Sequence, residues 1–260
     1  MAQTEPAMSL EQRREMLLAY LSKHERSSVS ELSQIFGVSE VTVRKDLDQL
    51  EAQGVLTRVH GGAVVSGRGR LEHFFATREQ EHLEEKRRIA QAAAAFVQSG
   101  QRIFLDASTT ALQVARLIKD REDLIVVTNG LYIALELTFS DNVTTIVVGG
   151  TVRHRSSSLL GSFNHDSVQR LRFDLGFFGA RALNAADGLM EANIEEGQLK
   201  QQMMHACGVV VGIVDSSKFG TTSFSAFALP HEIHRIITDI HAPPSVVMDL
   251  RAQGIAVDLV

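Results

Sequence analysis

Two rhythms of apolar and polar positions divide this sequence. In roughly the first seventy residues, short amphipathic stretches alternate with polar turns. Between Arg13 and Lys23, the residues Met16, Leu17, Tyr20 and Leu21 recur at helical spacing and mark one apolar stripe. Ser28-Val-Ser30 offers a cap for a second helix, Glu31 to Phe36, which Gly37 stops as a left-handed C-terminal residue does. Ser39 restarts the chain as the N-cap of a third helix. Thr42 stands where a capping box would carry Glu or Gln, so this cap is plain. Val43, Leu47 and Leu50 then fall on one face, and Gly54 ends the helix. Val55 to His60 alternates like a short strand, Gly61-Gly62 turns, and Ala63 to Val65 returns as its partner. Helix, helix, short turn, helix and hairpin is the order of a winged helix-turn-helix.

The remainder has a different rhythm. Continuous runs of Ile, Val, Leu and Phe at 102–105, 124–128, 144–148, 173–178, 208–214 and 235–238 read as strands. Helical stretches at 85–98, 111–119, 131–139 and 195–206 lie among them. Such alternation predicts a mostly parallel sheet covered on both faces, an α/β domain. Asp106, Thr128-Asn129 and Asp215 each follow a strand, which places them at the carboxyl edge where open α/β sheets bind ligands. Ser66-Gly-Arg-Gly-Arg70 is a natural break. The expected organisation is a DNA-binding domain over 1–66, a linker over 67–85 and an α/β sensor domain over 86–260.

Composition limits the possibilities. The chain has 260 residues, 44% apolar and 22% charged, which fits one or two globular domains. No apolar run approaches the ~20 residues that span a bilayer, and the polar start carries no apolar core of a secretory signal. The single cysteine, Cys207, excludes an internal disulfide and fits a reducing compartment, so the expected location is cytoplasmic. A net charge of −5 argues at first against a nucleic-acid partner. Up to Arg70 the chain is close to neutral, with the acidic surplus downstream, so the placement of cations matters more than their sum. His231-Glu-Ile-His234 and His241 lack the His-Glu-x-x-His spacing of a zinc protease, and no phosphate-binding Gly-x-x-x-x-Gly-Lys-Ser/Thr loop occurs. Neither a metal nor a cofactor is expected.

With Val43, Leu47 and Leu50 inward, Lys45 falls on the far side of the third helix, with Glu40 and Arg44 on one flank and Thr42 on the other. This helix holds the position of a recognition helix. Ser39, Glu40 and Thr42 lie near the end that enters the major groove. Arg44 and Lys45 suit phosphate or guanine edges, and Arg58 and His60 on the wing suit phosphates. The bland alternative is a three-helix interaction module with solvated charges. The capped helix, inward stripe and basic wing together favour double-stranded DNA.

Val38-Ser-Glu-Val-Thr-Val-Arg-Lys-Asp-Leu-Asp-Gln-Leu50, with Gly54 and Thr57-Arg-Val-His-Gly-Gly62 after it, resembles the DeoR family of bacterial transcriptional regulators. The resemblance continues in order through Lys86 to Ala90, Gly100, Asp106 to Thr110, Thr128-Asn129-Gly130, Gly149-Gly150, Gly161, Phe173-Asp174, Glu196 and Asp215-Ser-Ser-Lys-Phe-Gly220. It implies an operator-binding winged helix and a sensor resembling the ribose-phosphate isomerase fold. It also implies a phosphorylated sugar as effector, a repressor of a carbohydrate catabolism or transport operon, and a homo-oligomer, dimer or tetramer, on repeated half-sites.

The residues support an effector reading at several points. Asp106-Ala-Ser-Thr-Thr110 lies between a strand and a helix, so amides and the hydroxyls of Ser108, Thr109 and Thr110 suit a phosphate, though an ordinary helix cap has the same look. Lys218 can bring an ammonium to the same anion, and Arg153 is a second candidate cation. Asn129 and Glu196 suit sugar hydroxyls; alternatively, Glu196 makes a surface helix pair with Lys200 at i+4. The chain departs from the family pattern at Ala107, where glycine is usual, and at Gly179-Ala-Arg-Ala182 and Met190-Glu-Ala-Asn193. The rival function of another class is a sugar-phosphate isomerase-like enzyme carrying a fused DNA-binding domain, with Asp106, Glu196 and Lys218 as its acid-base groups.

Overall fold

The structure is a computed structural model that describes residues 10–24, 26–52, 56–59, 61–65, 75–161 and 171–260. The chain forms two compact units, Met1–Arg78 and Glu79–Val260. The Gly- and Arg-rich break at 66–70, together with Gly54 and His60, lies outside the described residues.

The first unit comprises α1 (Leu10–His24), β1 (Arg26–Ser28), α2 (Val29–Phe36), α3 (Glu40–Ala52), β2 (Leu56–Val59) and β3 (Gly62–Val65). Its core is Leu17, Leu21, Leu32, Val43, Leu47 and Leu50, buried on facing stripes of the three helices. Met16, expected in the stripe of α1, is half exposed; Leu18 takes the inward place. The wing has three strands rather than two, in the order β1-β3-β2, all antiparallel. β1 was not foreseen because Arg26-Ser-Ser28 has no apolar alternation. Ser28 ends β1 and caps α2 in a full capping box: its hydroxyl accepts the Glu31 N–H (3.1 Å) and its own N–H donates to the Glu31 carboxylate (3.4 Å). Gly37 closes α2 at φ 62°, a left-handed angle that favours glycine. Ser39 caps α3 as expected, its Oγ accepting the Thr42 N–H at 3.2 Å.

Between Phe75 and Gln80, within the segment expected to be linker, the chain forms helix α4, and α5 (Leu83–Ala94) begins two residues before the predicted start. The sensor unit then continues with β4 (Arg102–Leu105), α6 (Thr109–Ile118), β5 (Leu124–Thr128), α7 (Leu131–Leu137) and β6 (Val143–Val147). A hairpin of β7 (Thr151–Arg153) and β8 (Ser158–Leu160) precedes β9 (Phe173–Phe178), β10 (Ala182–Asn184), β11 (Gly188–Glu191) and α8 (Ile194–His205). Then follow β12 (Cys207–Ile213), β13 (Ser225–Ala228), β14 (Arg235–Thr238), α9 (Pro244–Ala252) and β15 (Ala256–Leu259).

Seven strands form one parallel sheet in the order β15-β14-β12-β9-β4-β5-β6. Helices α5, α6 and α7 pack against one another in succession, while α8 packs against β9, β12 and the small antiparallel sheet β10-β11-β13. A chain of aromatic rings fills the core, with Phe104 5.9 Å from Phe173 and 5.5 Å from Phe178, and Phe227 6.3 Å from Phe178. The order of winding reverses beside β4. The chain first steps outward through β5 and β6, then returns to the other side of β4 as β9 and continues through β12, β14 and β15. The carboxyl ends of β4 and β9 therefore flank a topological switch point, the crevice where open α/β sheets hold ligands.

Candidate functional site

In the first unit, α3 turns Val43, Leu47 and Leu50 inward and leaves Val41, Arg44, Lys45 and Asp48 in solvent. Ser39, Glu40 and Thr42 occupy its exposed or half-exposed N-terminal turn, where the Ser39 and Thr42 hydroxyls lie 2.9 Å apart. Arg44 pairs with Glu40 at 2.6 Å within the helix, each side chain about half exposed. Arg58 on β2 reaches Asp48 at 3.2 Å, and the Glu51 carboxylate accepts its backbone N–H at 2.7 Å, which fastens the wing to α3. His60 falls outside the described residues. Sequence reasoning missed Asp46. This side chain is buried and accepts from Arg13 (2.6 Å) and Arg14 (3.0 Å), locking α1 to α3. Its position beside the inward stripe was the only signal.

In the sensor unit, Asp106 follows β4 but does not face solvent. It is fully buried, and its carboxylate accepts N–H groups from Ser108 (3.1 Å) and Gly179 (2.9 Å) and meets the Lys200 ammonium at 2.8 Å. Gly179 is glycine of necessity, because a Cβ there would stand 2.5 Å from the Ser108 Cβ. The carboxylate thus stitches the ends of β4 and β9 across the switch point. Ser108 caps α6 by accepting the Ala111 N–H at 3.1 Å, which confirms the cap reading and leaves the first-turn amides of Thr109 and Thr110 where helix geometry supplies no acceptor. Ala107, in place of the usual glycine, needs no left-handed angle.

Lys200 is the principal residue that sequence reasoning misjudged. The alternative of a surface pair with Glu196 is overturned, since both side chains are buried. The Lys200 ammonium also donates to Glu191 (2.5 Å) and to the Gly179 carbonyl (2.8 Å). Burial alone would push its pKa down, but Asp106 and Glu191, with Glu196 beyond, hold the proton well above the ordinary lysine range. The expected helper cation, Lys218, lies elsewhere along the edge. It follows β12, two strand spacings or about 10 Å from β4, where it donates to Ser217 (3.0 Å) and stands 3.9 Å from Asp215.

The remaining predicted groups converge. Leu105 on β4 pairs with Thr128 on β5, so Asn129 stands beside the 106–110 turn. Asn129 is buried, donates to the Leu159 carbonyl (3.4 Å) and leaves its Oδ1 without a partner. The Ser158 hydroxyl donates to Glu196 (2.6 Å) and lies 2.8 Å from the Ser156 hydroxyl, while Arg153 donates to Ser156 (3.1 Å) and stands 3.7 Å from Glu196. Burial raises the Glu196 pKa, but Lys200, the two serines and Arg153 together hold it below the ordinary carboxylate range. A cavity of about 600 Å³ opens beside this network, between the β7–β8 hairpin and α8, lined by Thr151, Arg153, Glu195, Gln198 and Gln202 among others. Among the described residues, no group of His, Cys, Asp and Glu is arranged to hold a metal ion. Cys207, half-buried, has its thiol pushed up to about 12 by desolvation.

A helix-turn-helix unit whose third helix holds Arg44 and Lys45 in solvent, followed by a parallel α/β unit with polar groups gathered at its switch point, is the build of a DNA-binding regulator of transcription. Residues 13–68 match the DeoR-like helix-turn-helix domain, and residues 81–240 match the DeoR C terminal sensor domain. The chain belongs to the DeoR family of transcriptional regulators. It is 34% identical to the uncharacterized HTH-type transcriptional regulator YulB of Bacillus subtilis, over 97% of this chain and 98% of that one. It is 38% identical to the HTH-type transcriptional regulator GlpR of Haloferax volcanii, over 88% and 89%. It is 29% identical to the glycerol-3-phosphate regulon repressor of Escherichia coli, over 97% and 100%. These relatives are named as regulators, not as enzymes. Among solved structures, ribose 5-phosphate isomerase A of Methanocaldococcus jannaschii aligns over 54% of this chain and 55% of that one, at 15% identity and a TM-score of 0.41. No helix among the described residues is long and apolar enough to cross a membrane.

Proposed function

We propose that this regulator represses an operon for carbohydrate catabolism or transport and releases its operator when a phosphorylated sugar binds the sensor unit. The observation that carries the reading is the first turn of α6 at the switch point, where the amides of the buried Thr109 and Thr110 have no helical acceptor. Such a turn suits a phosphate. Asn129, Arg153 and Glu196 are then the groups for sugar hydroxyls. Lys218, further along the edge, closes on the far end of the ligand. Ser108 and Asp106 act as cap and anchor of the phosphate turn rather than as ligand contacts. Relatives named as repressors of the glycerol-3-phosphate regulon and the aga operon support the repressor role, and one named as the L-fucose operon activator of Haemophilus influenzae supports the sugar chemistry.

On the DNA side, Ser39, Glu40, Thr42, Arg44 and Lys45 read the major groove, with Arg58 and His60 on phosphates. Paired winged helices of a homo-oligomer meet repeated half-sites. Release requires that the effector bind more tightly to the conformation that does not fit the operator. A thermal-shift panel of sugar phosphates tests the sensor, because a ligand of the folded state raises the melting temperature. The expected result is a rise with one phosphorylated sugar and none with its unphosphorylated form; a flat response across the panel sinks the proposal.

A further inference from the structure

The two edges of the parallel sheet are finished differently. β15 carries a carboxylate, Asp258, held by Arg235 at 2.6 and 2.7 Å, and charge on an edge strand discourages further pairing. β6, at the opposite end of the sheet, reads Val143-Thr-Thr-Ile-Val147. Every residue in it is β-branched, and it contains no charge, proline or glycine, so it has none of the usual guards against strand addition. Val143 is buried, but Ile146 and Val147 are each more than two-fifths exposed although they point to opposite faces. On the helix beside it, α7, Leu135 is 62% exposed, and Phe139, in the turn just after the helix, is 89% exposed. α7 packs against β6, so these apolar positions gather around the edge strand of the sensor unit, with Ile146 and Val147 on its two faces.

From these exposures and ordinary side-chain areas, the four residues present roughly 400 Å² of apolar surface, within the range of the largest patches on monomers. A stable interface takes about 800 Å² from each partner, and the exposed polar flank of Thr138, Asp141, Asn142 and Thr144 supplies the balance. Because the apolar part of this surface carries no charge and adjoins a strand edge that is unpaired among the described residues, its natural complement is itself. A strand edge pairs antiparallel with its own copy about a twofold axis without any other change.

We propose that β6 and the outer face of α7 form the seam by which two copies of this chain join, with β6 running antiparallel to its symmetry mate so that the two seven-stranded sheets become one. This rests on the homo-oligomer reading above and names its interface. The test is sedimentation equilibrium of the full chain, unchanged and as the variants Ile146→Lys and Phe139→Glu. Both positions are exposed, and unchanged circular dichroism and melting of the diluted protein confirm that the variants fold. The expected result is an unchanged chain of at least dimeric mass, with a dissociation constant raised about 100-fold or more in each variant. Variants that keep the parent's mass and dissociation constant overturn this seam alone. A parent that stays monomeric at all concentrations overturns the homo-oligomer reading and the seam with it.

Discussion

On α3, Arg44 and Glu40 form an ion pair with about half of each side chain in water. In the sensor unit, the Lys200 ammonium meets Asp106 and Glu191 with less than a tenth of any of these side chains exposed. The first pair is screened and weak, so in the proposed DNA interface Arg44 would exchange its carboxylate for a phosphate or a guanine edge at little cost. The second is desolvated, and removing one member leaves the others charged and buried. On the proposed reading, the same residue types serve recognition in one unit and architecture in the other. Substitutions separate the two roles.

The largest effect is expected from Lys200→Met, which strands two buried carboxylates and should cost the sensor unit about 3–5 kcal/mol in urea or thermal unfolding. Adding Asp106→Asn should recover part of that loss. An unchanged midpoint for the single variant would break the comparison. Asp46 is the exception within the first unit, a buried carboxylate between two arginines. Since those arginines still reach water, Asp46→Ala should cost less, about 1–3 kcal/mol, read from the melting of that unit.

A smaller effect concerns pH. The pKa of Glu196 is lower in the folded chain, so its stabilising contribution is complete above the ordinary carboxylate range and fades as pH falls through the folded value. Replacing Glu196 by Gln should flatten the acid side of the stability curve relative to the parent, as followed by melting temperature across pH. If both curves fall in parallel, the network around Ser158 is not held by charge. Smallest in stability is Arg44→Ala, expected to change it by no more than about 0.5 kcal/mol. Its signature lies in DNA binding, where the slope of log affinity against log salt should drop by about one. No change in DNA affinity would remove Arg44 from the interface.

Much of the fold was legible because period and punctuation agreed. Gly37, Ser39 and the Val43-Leu47-Leu50 stripe specify a turn and a helix by local rules, and long strands such as β9 and β12 read as buried runs. β1, β7, β8, β10, β11, β13 and β15 escaped, since three or four residues without a continuous apolar run of the β4 or β14 kind are too few to show a period and their pairing is decided by distant partners. The same limit governs the candidate site. Ser108 as cap followed from its place between strand and helix. Lys200 did not, because burial depends on which face of α8 meets the sheet. α8 has Glu196 and Lys200 inward beside Leu199 and Met203, so its polar pattern misstates the buried side. Lys218 was right in its edge but assigned to the wrong neighbour, since sequence order does not reveal that β9 separates β4 from β12.

The hydrogen bond from Gly179 to Asp106 spans 73 residues. β4, β5 and β6 are joined by short crossovers and can assemble as soon as they leave the ribosome. β9 must return across that whole length to lie beside β4, and closing so long a loop is slow compared with local pairing. Until then, one side of β4 is an open edge, a surface that invites pairing with other chains. Lys200, which completes the buried ion cluster at the switch point, is translated later still. A growing sensor unit therefore lacks the charged cluster at its switch point until most of it has been made.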